Sequence, residues 1–333
     1  MKDLAPTPDA RTGLSARSEA SSVRRIRVTE VHAGQRVDNF LLRELRGVPK
    51  THIYRILRSG EVRLNGGRVR PEVKLQAGDE LRLPPVRQAK TASSPADEGG
   101  GVTLPVLYED AHLLAIDKPS GLAVHGGSGV SLGAIEQLRA ARPGAPLLEL
   151  AHRLDRETSG VLLIAKTRSA LVGLHEIMRQ KSGDKRYLVA VRGEWANERQ
   201  HVKLPLARYT AHDGDRRVEV NPEDGQFAHT IFNLRERRGD MSLLEAELRT
   251  GRTHQIRVHL QYLGFPILGD GKYGDRVLNA TLARCVRAPL RRMFLHAHSF
   301  AFVHPVTGGE VRIVSPLPPD LVRFWEAGRS AEA

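Results

Sequence analysis

The sequence predicts an α+β protein with a small front module and a larger rear module. A segment poor in apolar residues runs from Gln88 to Gly101 and ends in three successive glycines, which is typical of a linker. The chain of 333 residues has room for about two domains. In the rear module, apolar runs typical of strands and of helices are unevenly interspersed, without a steady strand–helix–strand repeat. This pattern favours a mixed, mostly antiparallel central sheet flanked by helices.

Four segments follow from this division. Residues 1–30 carry Pro, Ser, Ala and Arg without a hydrophobic period, which predicts a flexible basic leader. The front module is assigned to residues 31–87, the linker to residues 88–103 and the rear module to residues 104–328. The rear module is long enough to bury a core of its own.

The composition limits the classes of protein to consider. Lys and Arg together number 51 against 38 Asp and Glu, a net charge of +13, which favours a polyanionic partner over the ordinary alternative of a solubilising surface charge. Cys285 is the only cysteine, which excludes an internal disulfide and a Cys-rich zinc site. No run of about 18 apolar residues occurs, and Arg11 and Arg17 lie where a signal peptide would be apolar. We therefore expect a cytoplasmic protein with no membrane partner.

The front module is predicted to contain two short helices followed by a hairpin. Apolar residues at helical spacing occur on both sides of Pro49: Val37, Leu41 and Leu45, then Ile53, Ile56 and Leu57. Alternating residues flank the turn Asn65-Gly66, which is typical of a β-hairpin. Six basic residues lie off the apolar stripe and are predicted to contact phosphates: Lys50, Arg55, Arg58, Arg63, Arg68 and Arg70. A merely solvated face is the alternative for them.

One cluster of charges in the rear module lies directly before a buried-looking strand. Residues 152–157 hold five ionisable side chains in six positions, and the apolar run Val161–Ala165 follows. Charges at the start of a core strand indicate either a functional site or a salt-bridged turn. In the second interpretation, Thr158 and Ser159 hydrogen-bond the backbone before the strand begins.

A second cluster favours the functional interpretation. The segment Thr250–His259 leads into a helix with Thr253 as the predicted N-cap. Arg257 then falls in or just beyond the first turn, where the helix dipole disfavours a cation by about 0.3 to 1 kcal/mol. A nearby anion would offset that cost, and the candidates are a bound phosphate or the Asp155 carboxylate in a bidentate pair. An Arg257 without any partner remains the alternative.

Two segments of the front module resemble the S4 RNA-binding domain. They are Arg36–Leu41 and Gly60–Gly66, with the sequences RVDNFL and GEVRLNG. The resemblance implies that the module binds structured RNA.

Four segments of the rear module resemble the pseudouridine synthases of the ribosomal large-subunit family. They correspond to the central, tyrosine, arginine and leucine motifs of that family, in the order His152–Gly160, Lys185–Val189, Gly251–His259 and Phe294–Ala297. The resemblance extends from about residue 36 to residue 324. The S4-like module, with Asp117–Gly121 and His125–Gly129, narrows it to one branch of the family.

The resemblance implies a role for each of five residues. Asp155 would be the nucleophile, attacking either the sugar or the base. Arg257 would pair with Asp155, and Tyr187 would stack on the uracil and take the C5 proton, directly or through water. Arg153 would fill the space left by the flipped nucleotide, and Leu295 would line the uracil pocket. From the residues alone, Tyr187 and Leu295 could equally be core residues.

The same resemblance implies the activity and its partners. The enzyme would isomerise selected uridines of 23S ribosomal RNA, or of a large-subunit precursor, as a monomer without cofactor or metal. Gln226 departs from the family, which often places a basic residue after this glycine, and that puts a local backbone contact in doubt.

Three other functions compete with this one. A glycoside or nucleoside hydrolase would pair Asp155 with Glu157, although its two carboxyl groups must lie roughly 5 Å or more apart. A noncatalytic RNA-binding or ribosome-assembly factor would have no need of Asp155. Metal catalysis could use His296 and His298, which alternate on a strand, but no third ligand has recognisable spacing.

Overall fold

The computed structural model describes residues 22–45, 48–86, 104–126, 132–211 and 214–327. The chain divides into two compact units at Gly100 and Gly101. The predicted linker and the first 21 residues of the predicted leader lie outside the described residues.

The front unit contains two helices and a four-stranded sheet. Its elements are β1 (Arg24–Arg27), a short 3-10 helix (Glu30–His32), α1 (Val37–Glu44), α2 (Lys50–Arg58), β2 (Arg63–Leu64), β3 (Gly67–Arg68) and β4 (Glu80–Leu83). The strand order is β1-β4-β2-β3. The leader was predicted to reach residue 30, but β1 pairs antiparallel with β4, with Ile26 opposite Leu81. With one apolar residue among three arginines, this strand has no sequence pattern that distinguishes it from a basic tail.

The predicted turn joins β2 to β3. Asn65 and Gly66 have φ angles of 49° and 81°, the left-handed values that a two-residue hairpin turn of this type needs at both central positions. The Asn65 side chain donates to Asp79 at 2.8 Å and accepts from the Glu80 amide at 2.8 Å. The predicted apolar stripes of both helices pack into the core of this unit, where Val37, Leu41, Ile53 and Ile56 are fully buried.

The rear unit contains the remaining twelve strands and five helices that the described residues form. In chain order they are β5 (Val106–Glu109), β6 (Leu113–Lys118), α3 (Ala134–Ala141), β7 (Glu149–Leu150), β8 (Ser159–Ala165), α4 (Arg168–Gln180), β9 (Asp184–Arg192), β10 (Arg199–Lys203), β11 (Leu206–Thr210), β12 (Arg216–Val220), β13 (His229–Arg238), β14 (Met241–Leu248), α5 (Gln255–Tyr262), α6 (Arg276–Arg284), β15 (Leu295–Val303), β16 (Glu310–Val314) and α7 (Pro319–Ala327).

The central sheet of the rear unit is mixed and mostly antiparallel, as predicted. Its order is β10-β13-β14-β9-β15-β8-β6-β5, with β16 also beside β15 and β7 beside β8. The pairing of β15 with β8 is parallel, and the other strand pairs are antiparallel. Strands β11 and β12 form a separate hairpin. All seven residues of β8 are buried, which explains its continuous apolar run.

The contact between β8 and β15 depends on a glycine at the start of β8. Gly160 has a φ angle of 111°, and a Cβ atom there would overlap the carbonyl of Ala297, its neighbour on β15. Because only glycine fits, the segment directly before β8 is held close to the first residues of β15.

The departure at Gln226 leaves its backbone contact intact. Leu206 and Gln226 exchange two backbone hydrogen bonds of 2.9 Å each. The Gln226 side chain takes no part in these bonds, so a basic residue is not required for them.

Candidate active site

A cavity of about 520 Å³ lies in the rear unit, between the segment before β8, strand β9 and the start of α5. All five residues predicted to take part in catalysis or substrate binding line it: Arg153, Asp155, Tyr187, Arg257 and Leu295. Segments separated by more than a hundred residues therefore meet in one place, as the motifs predicted.

Arg257 binds two carboxylates, of which only Asp155 was predicted from the sequence. Its Nη1 donates to Oδ2 of Asp155 at 3.2 Å. The bidentate pair expected with Asp155 is instead made with Asp270, through Nε to Oδ2 at 2.7 Å and Nη2 to Oδ1 at 2.8 Å. The expectation of a bidentate Asp155 pair is therefore wrong, because Asp270 occupies the side of the guanidinium that forms the fork.

Asp270 is fixed in place before any substrate arrives. Its side chain is fully buried, and Oδ1 also accepts from the amides of Lys272 and Tyr273 at 2.8 and 3.0 Å. Burial disfavours the charged form, but the hydrogen bonds from Arg257 and these amides outweigh burial and lower the pKa of Asp270. Arg257 thus has a permanent anionic partner, and its contact with Asp155 is made by the one remaining nitrogen.

Helix α5 begins one residue later than predicted. Its first residue is Gln255, and the N-cap is His254, with φ 53° and ψ 20°. Thr253 is not the cap, because its hydroxyl accepts from Nη2 of Arg208 at 2.7 Å. Gln255 closes the turn instead, since its Oε1 accepts from the Arg252 amide at 3.0 Å. Arg257 lies in the first turn, and two carboxylates offset the helix dipole there.

Tyr187 lies on β9 and forms a wall of the cavity. Its neighbours across the sheet are Ala246 on β14 and Ala297 on β15, two small residues that leave room beside the ring. Burial, and to a lesser extent the charge of Asp155, raises the pKa of Tyr187. The hydroxyl therefore keeps its proton at neutral pH.

Arg153 and Leu295 lie at opposite extremes of exposure. Arg153 is exposed at the cavity, whereas Leu295 is buried at the start of β15. An exposed arginine beside a cavity is free to contact RNA, and a buried leucine can only form an apolar wall.

Lys118 ties the segment that carries Asp155 to the end of β6. Its Nζ donates to the carbonyls of Pro119, Leu122 and Arg156 at 2.8, 2.8 and 3.1 Å. Burial lowers the pKa of Lys118 to about 7. Lys118 lies within the motif Asp117–Gly121, whose sequence alone predicted no role for it.

The alternatives find less support in the geometry. The Glu157 carboxylate does not line the cavity and lies 3.7 Å from Nε of Arg156. His296 is buried, with Nδ1 beside the hydroxyl of Ser159 at 2.9 Å and Nε2 beside the Ser315 carbonyl at 3.1 Å. Among the described residues, no group of three or more side chains is arranged to hold a metal ion.

The six basic residues of the front unit are arranged around α2 and the hairpin, as predicted. Arg63 is half-buried and the others are exposed. Arg55 forms an ion pair with Glu61 at 3.3 Å, and Arg58 donates to the Tyr54 carbonyl at 3.3 Å. Their role in RNA binding stays a prediction.

No helix in the described part of the chain is both long enough and apolar enough to cross a membrane.

Two family models match the chain. The model described as RNA pseudouridylate synthase matches residues 112–262, and the model described as S4 domain matches residues 35–81. The first match includes Asp155, Tyr187 and Arg257, and the second lies within the front unit.

Curated relatives match nearly the whole chain. Ribosomal large subunit pseudouridine synthase C of Escherichia coli strain K12 is 50% identical over 319 residues, 95% of this chain and 99% of that protein. The protein of the same name from Pasteurella multocida is 48% identical over 94% of this chain and 96% of that protein. These matches confirm the branch that the S4-like module and the glycine-rich motifs predicted.

Two solved structures are similar to more than two thirds of the chain. Human RNA pseudouridylate synthase domain containing 1 has a TM-score of 0.54 and 25% identity, and it covers 70% of this chain and 98% of that one. Human RNA pseudouridylate synthase domain containing 4 has a TM-score of 0.55 and 27% identity, covering 68% of this chain and 93% of that one.

Proposed function

Because the chain belongs to the ribosomal large-subunit pseudouridine synthase family, we propose that it isomerises selected uridines of 23S ribosomal RNA to pseudouridine, with Asp155 as the nucleophile. The relatives that support this proposal are named for an activity on the large ribosomal subunit. The reaction breaks the N-glycosidic bond, turns the uracil and joins C5 to the sugar, while C5 loses a proton and N1 gains one. Atoms and electrons balance within the nucleotide, so no cofactor is consumed.

The observation that carries the proposal is the state of the Asp155 carboxylate. One oxygen, Oδ2, accepts from Arg257. The other, Oδ1, lies 3.9 Å from Nε2 of His254, beyond hydrogen-bond distance. Among the described residues, Oδ1 therefore has no hydrogen-bond donor, although the carboxylate lines the cavity. A nucleophile needs one oxygen aimed and the other free to form a bond.

Arg257 orients this carboxylate while Asp270 holds the guanidinium in place. Three nitrogens of Arg257 are engaged, two with Asp270 and one with Asp155. Because Asp270 holds the guanidinium, the position of Asp155 does not depend on contacts with RNA. Asp155 would form a covalent bond to the sugar or the base, and its departure would later restore the carboxylate.

Tyr187 is the proposed stacking partner of the uracil and a candidate for the C5 proton. Its hydroxyl is protonated at neutral pH, since burial raises its pKa. It could accept the C5 proton only if it passed its own proton onward, for example to water. Stacking requires no such transfer and is the more direct task of the ring.

The remaining roles concern access and docking. Arg153, exposed at the cavity, would occupy the gap left in the RNA stack by the flipped uridine, and Leu295 would face the uracil edge. The basic residues of the front unit would bind phosphates of the ribosomal RNA or of a large-subunit precursor. We expect the protein to act as a monomer in the cytoplasm.

Replacing Asp155 tests this proposal. Asp155→Asn should abolish pseudouridine formation in a 23S ribosomal RNA transcript and leave RNA affinity within a few fold, because little phosphate-binding charge is lost. Glu157→Gln is the matched control, since this carboxylate does not line the cavity, and it should keep its rate. Pseudouridine formed at the normal rate by Asp155→Asn would overturn the assignment. Release of free uracil by the wild-type protein would instead identify it as a hydrolase.

A strain that lacks the protein identifies the substrate. Mapping pseudouridine across its ribosomal RNA should reveal unmodified uridines in 23S ribosomal RNA that the wild-type gene restores and the Asp155→Asn gene does not. If every site stayed modified, the ribosomal substrate would be wrong.

A further inference from the structure

The imidazole of His254 lies between Tyr273 and the proposed nucleophile. Its Nδ1 is 2.8 Å from the Tyr273 hydroxyl, and its Nε2 is 3.9 Å from Oδ1 of Asp155. The side chain is 16% exposed and lines the same cavity as Asp155. Neither contact was predicted from the sequence.

The surroundings of Tyr273 determine which nitrogen of His254 carries the proton. The Tyr273 oxygen accepts from the Val218 amide at 3.0 Å. Burial raises the pKa of Tyr273 to about 12, so the hydroxyl keeps its proton. Within hydrogen-bond distance, Nδ1 of His254 is the acceptor that the described residues offer this proton. The phenol therefore donates to Nδ1.

His254 is left with one donor, and it points into the cavity. Burial lowers the pKa of His254, so the ring is neutral at pH 7 and carries a single N–H. Because Nδ1 accepts from Tyr273, that N–H is on Nε2. At 3.9 Å from Asp155 the Nε2 donor is too far to hydrogen-bond the carboxylate, and it is open to a substrate atom.

The backbone of His254 is consistent with a functional constraint. Its φ angle of 53° lies in the left-handed region, where a residue other than Gly is strained by roughly 1 to 2 kcal/mol. Such strain persists where the surrounding structure imposes it. Here it places the ring across the start of α5, beside Arg257 and Asp155.

We propose that His254 donates its Nε2–H to a carbonyl oxygen of the target uracil and stabilises the negative charge that gathers there during isomerisation. This inference rests on the proposed function. If Asp155 attacks the sugar, the electron pair of the broken glycosidic bond passes to the uracil and is shared by its carbonyl oxygens. If Asp155 adds to the base, the C4 carbonyl becomes an enolate oxygen. Either path puts charge on a carbonyl, and a neutral donor placed beforehand stabilises it.

The neighbouring Arg257 is not available to hydrogen-bond the uracil carbonyl. The guanidinium of Arg257 is committed to Asp270 and Asp155. A neutral imidazole also avoids a competing ion pair with Asp155, which a charged donor at this place would form.

Two substitutions of His254 isolate the donor. His254→Gln retains an N–H near the position of Nε2, whereas His254→Leu has a similar size and no donor. Both bear the same left-handed backbone strain, so the difference between them reports the hydrogen bond. At saturating RNA, His254→Leu should slow a single turnover by roughly 100-fold, the loss that follows removal of one such donor. His254→Gln should recover most of this loss, and RNA affinity should change little in either variant.

Tyr273→Phe tests the proton assignment. The ring stays against Arg257, whose guanidinium lies 4.9 Å from its centroid, but the hydroxyl that selects the tautomer is lost. The turnover rate should fall several-fold. Tyr262→Phe removes an exposed hydroxyl from the same part of the rear unit and should leave the rate unchanged.

Substituted RNA identifies the acceptor. Transcripts made with 2-thiouridine or 4-thiouridine carry a sulfur in place of one carbonyl oxygen, which is a weaker acceptor. If His254 contacts that position, the rate loss caused by His254→Leu should shrink at least tenfold with one of the two transcripts. Equal losses on ordinary, 2-thio and 4-thio transcripts would overturn the proposal, as would a Gln variant no faster than the Leu variant. Failure of the wild-type protein on ordinary RNA would refute the proposed function itself.

Discussion

Arg257 lies between two carboxylates that differ in their surroundings. Asp270 is fully buried and forms the bidentate pair, whereas Asp155 keeps 19% of its side chain exposed and accepts a single hydrogen bond. The more buried carboxylate thus holds the guanidinium, and the more exposed one remains open to chemistry.

The two carboxylates should therefore contribute unequally to the free energy of unfolding. Asp270→Asn leaves the charge of Arg257 buried without its main partner and should cost about 3 kcal/mol of the free energy of unfolding. Asp155→Asn should cost about 1 kcal/mol or less, because one hydrogen bond at a partly exposed site is weakened. Urea unfolding followed by tryptophan fluorescence would measure both. Equal losses would mean that Asp270 does not anchor Arg257.

The sequence could predict Asp155 and Arg257 but not their third partner. Both lie in motifs with an unusual density of charge, and the helix dipole argument required an anion near Arg257. Asp270 follows 13 residues later, beyond the end of α5, in a segment with no periodicity that would reveal its direction. The contact between His254 and Tyr273 could not be predicted either. It depends on a left-handed backbone conformation at His254, which the spacing of side chains in the sequence does not encode.

At the scale of elements, the parallel contact between β8 and β15 positions the site. Asp155 lies just before β8, and Leu295 begins β15. Gly160 lets the two strands approach, because its Cα faces the carbonyl of Ala297 without a side chain.

Gly160→Ala should therefore damage both stability and activity. The added methyl group overlaps backbone atoms of β15, and the φ angle of 111° is strained for alanine, so we expect a loss of about 3 kcal/mol. Gly144→Ala is the matched control, since nothing lies within 4 Å of its Cβ position. Thermal unfolding and the rate of pseudouridine formation would be compared. A Gly160→Ala protein as stable as the control would contradict this account of the contact.

Element positions were more predictable than element ends. The apolar run Val161–Ala165 located β8, because a buried strand imposes its own composition. The predicted start of α5 was wrong by one residue, since Thr253 resembles a cap but its hydroxyl accepts from Nη2 of Arg208. Strand β15 lies between β8 and β9, although it follows β9 by more than a hundred residues. This strand order could not be predicted, because no local sequence pattern encodes it.

At the scale of the whole molecule, the positive charge predicts how binding responds to salt. Replacing Lys50, Arg58 and Arg70, all exposed in the front unit, by Gln should weaken RNA binding and flatten the dependence of log affinity on log salt. Each lost phosphate contact should reduce the slope by roughly 0.7 to 0.9. The rate at saturating RNA should survive better than the affinity. Unchanged affinity and slope would show that these residues do not anchor RNA.

Buried histidines of the rear unit predict its response to acid. Burial lowers the pKa values of His259 and His296 to about 4, against 6.5 for an exposed histidine. Between pH 6.5 and 4 the unfolded chain binds more protons than the folded one, so the free energy of unfolding falls as the pH falls. Each group should account for about 3 kcal/mol over that window.

Both tryptophans, Trp195 and Trp325, are buried in the rear unit, so their fluorescence reports its unfolding. The transition should move to lower urea as the pH falls from 6.5 to 4. His296→Gln should reduce this dependence, and an equally steep dependence in that variant would contradict the assignment.

The place of β15 in the sheet has a consequence for how the protein is made. Within the described residues, β15 lies between β8 and β9, so it joins the half of the sheet next to Asp155 to the half that carries Tyr187. A ribosome must therefore synthesise the chain through Val303 before the two halves can close around the cavity. Until then, β8 and β9 each present an open edge that can pair with another chain. Nascent protein stalled before β15 should be inactive and a preferred client of chaperones.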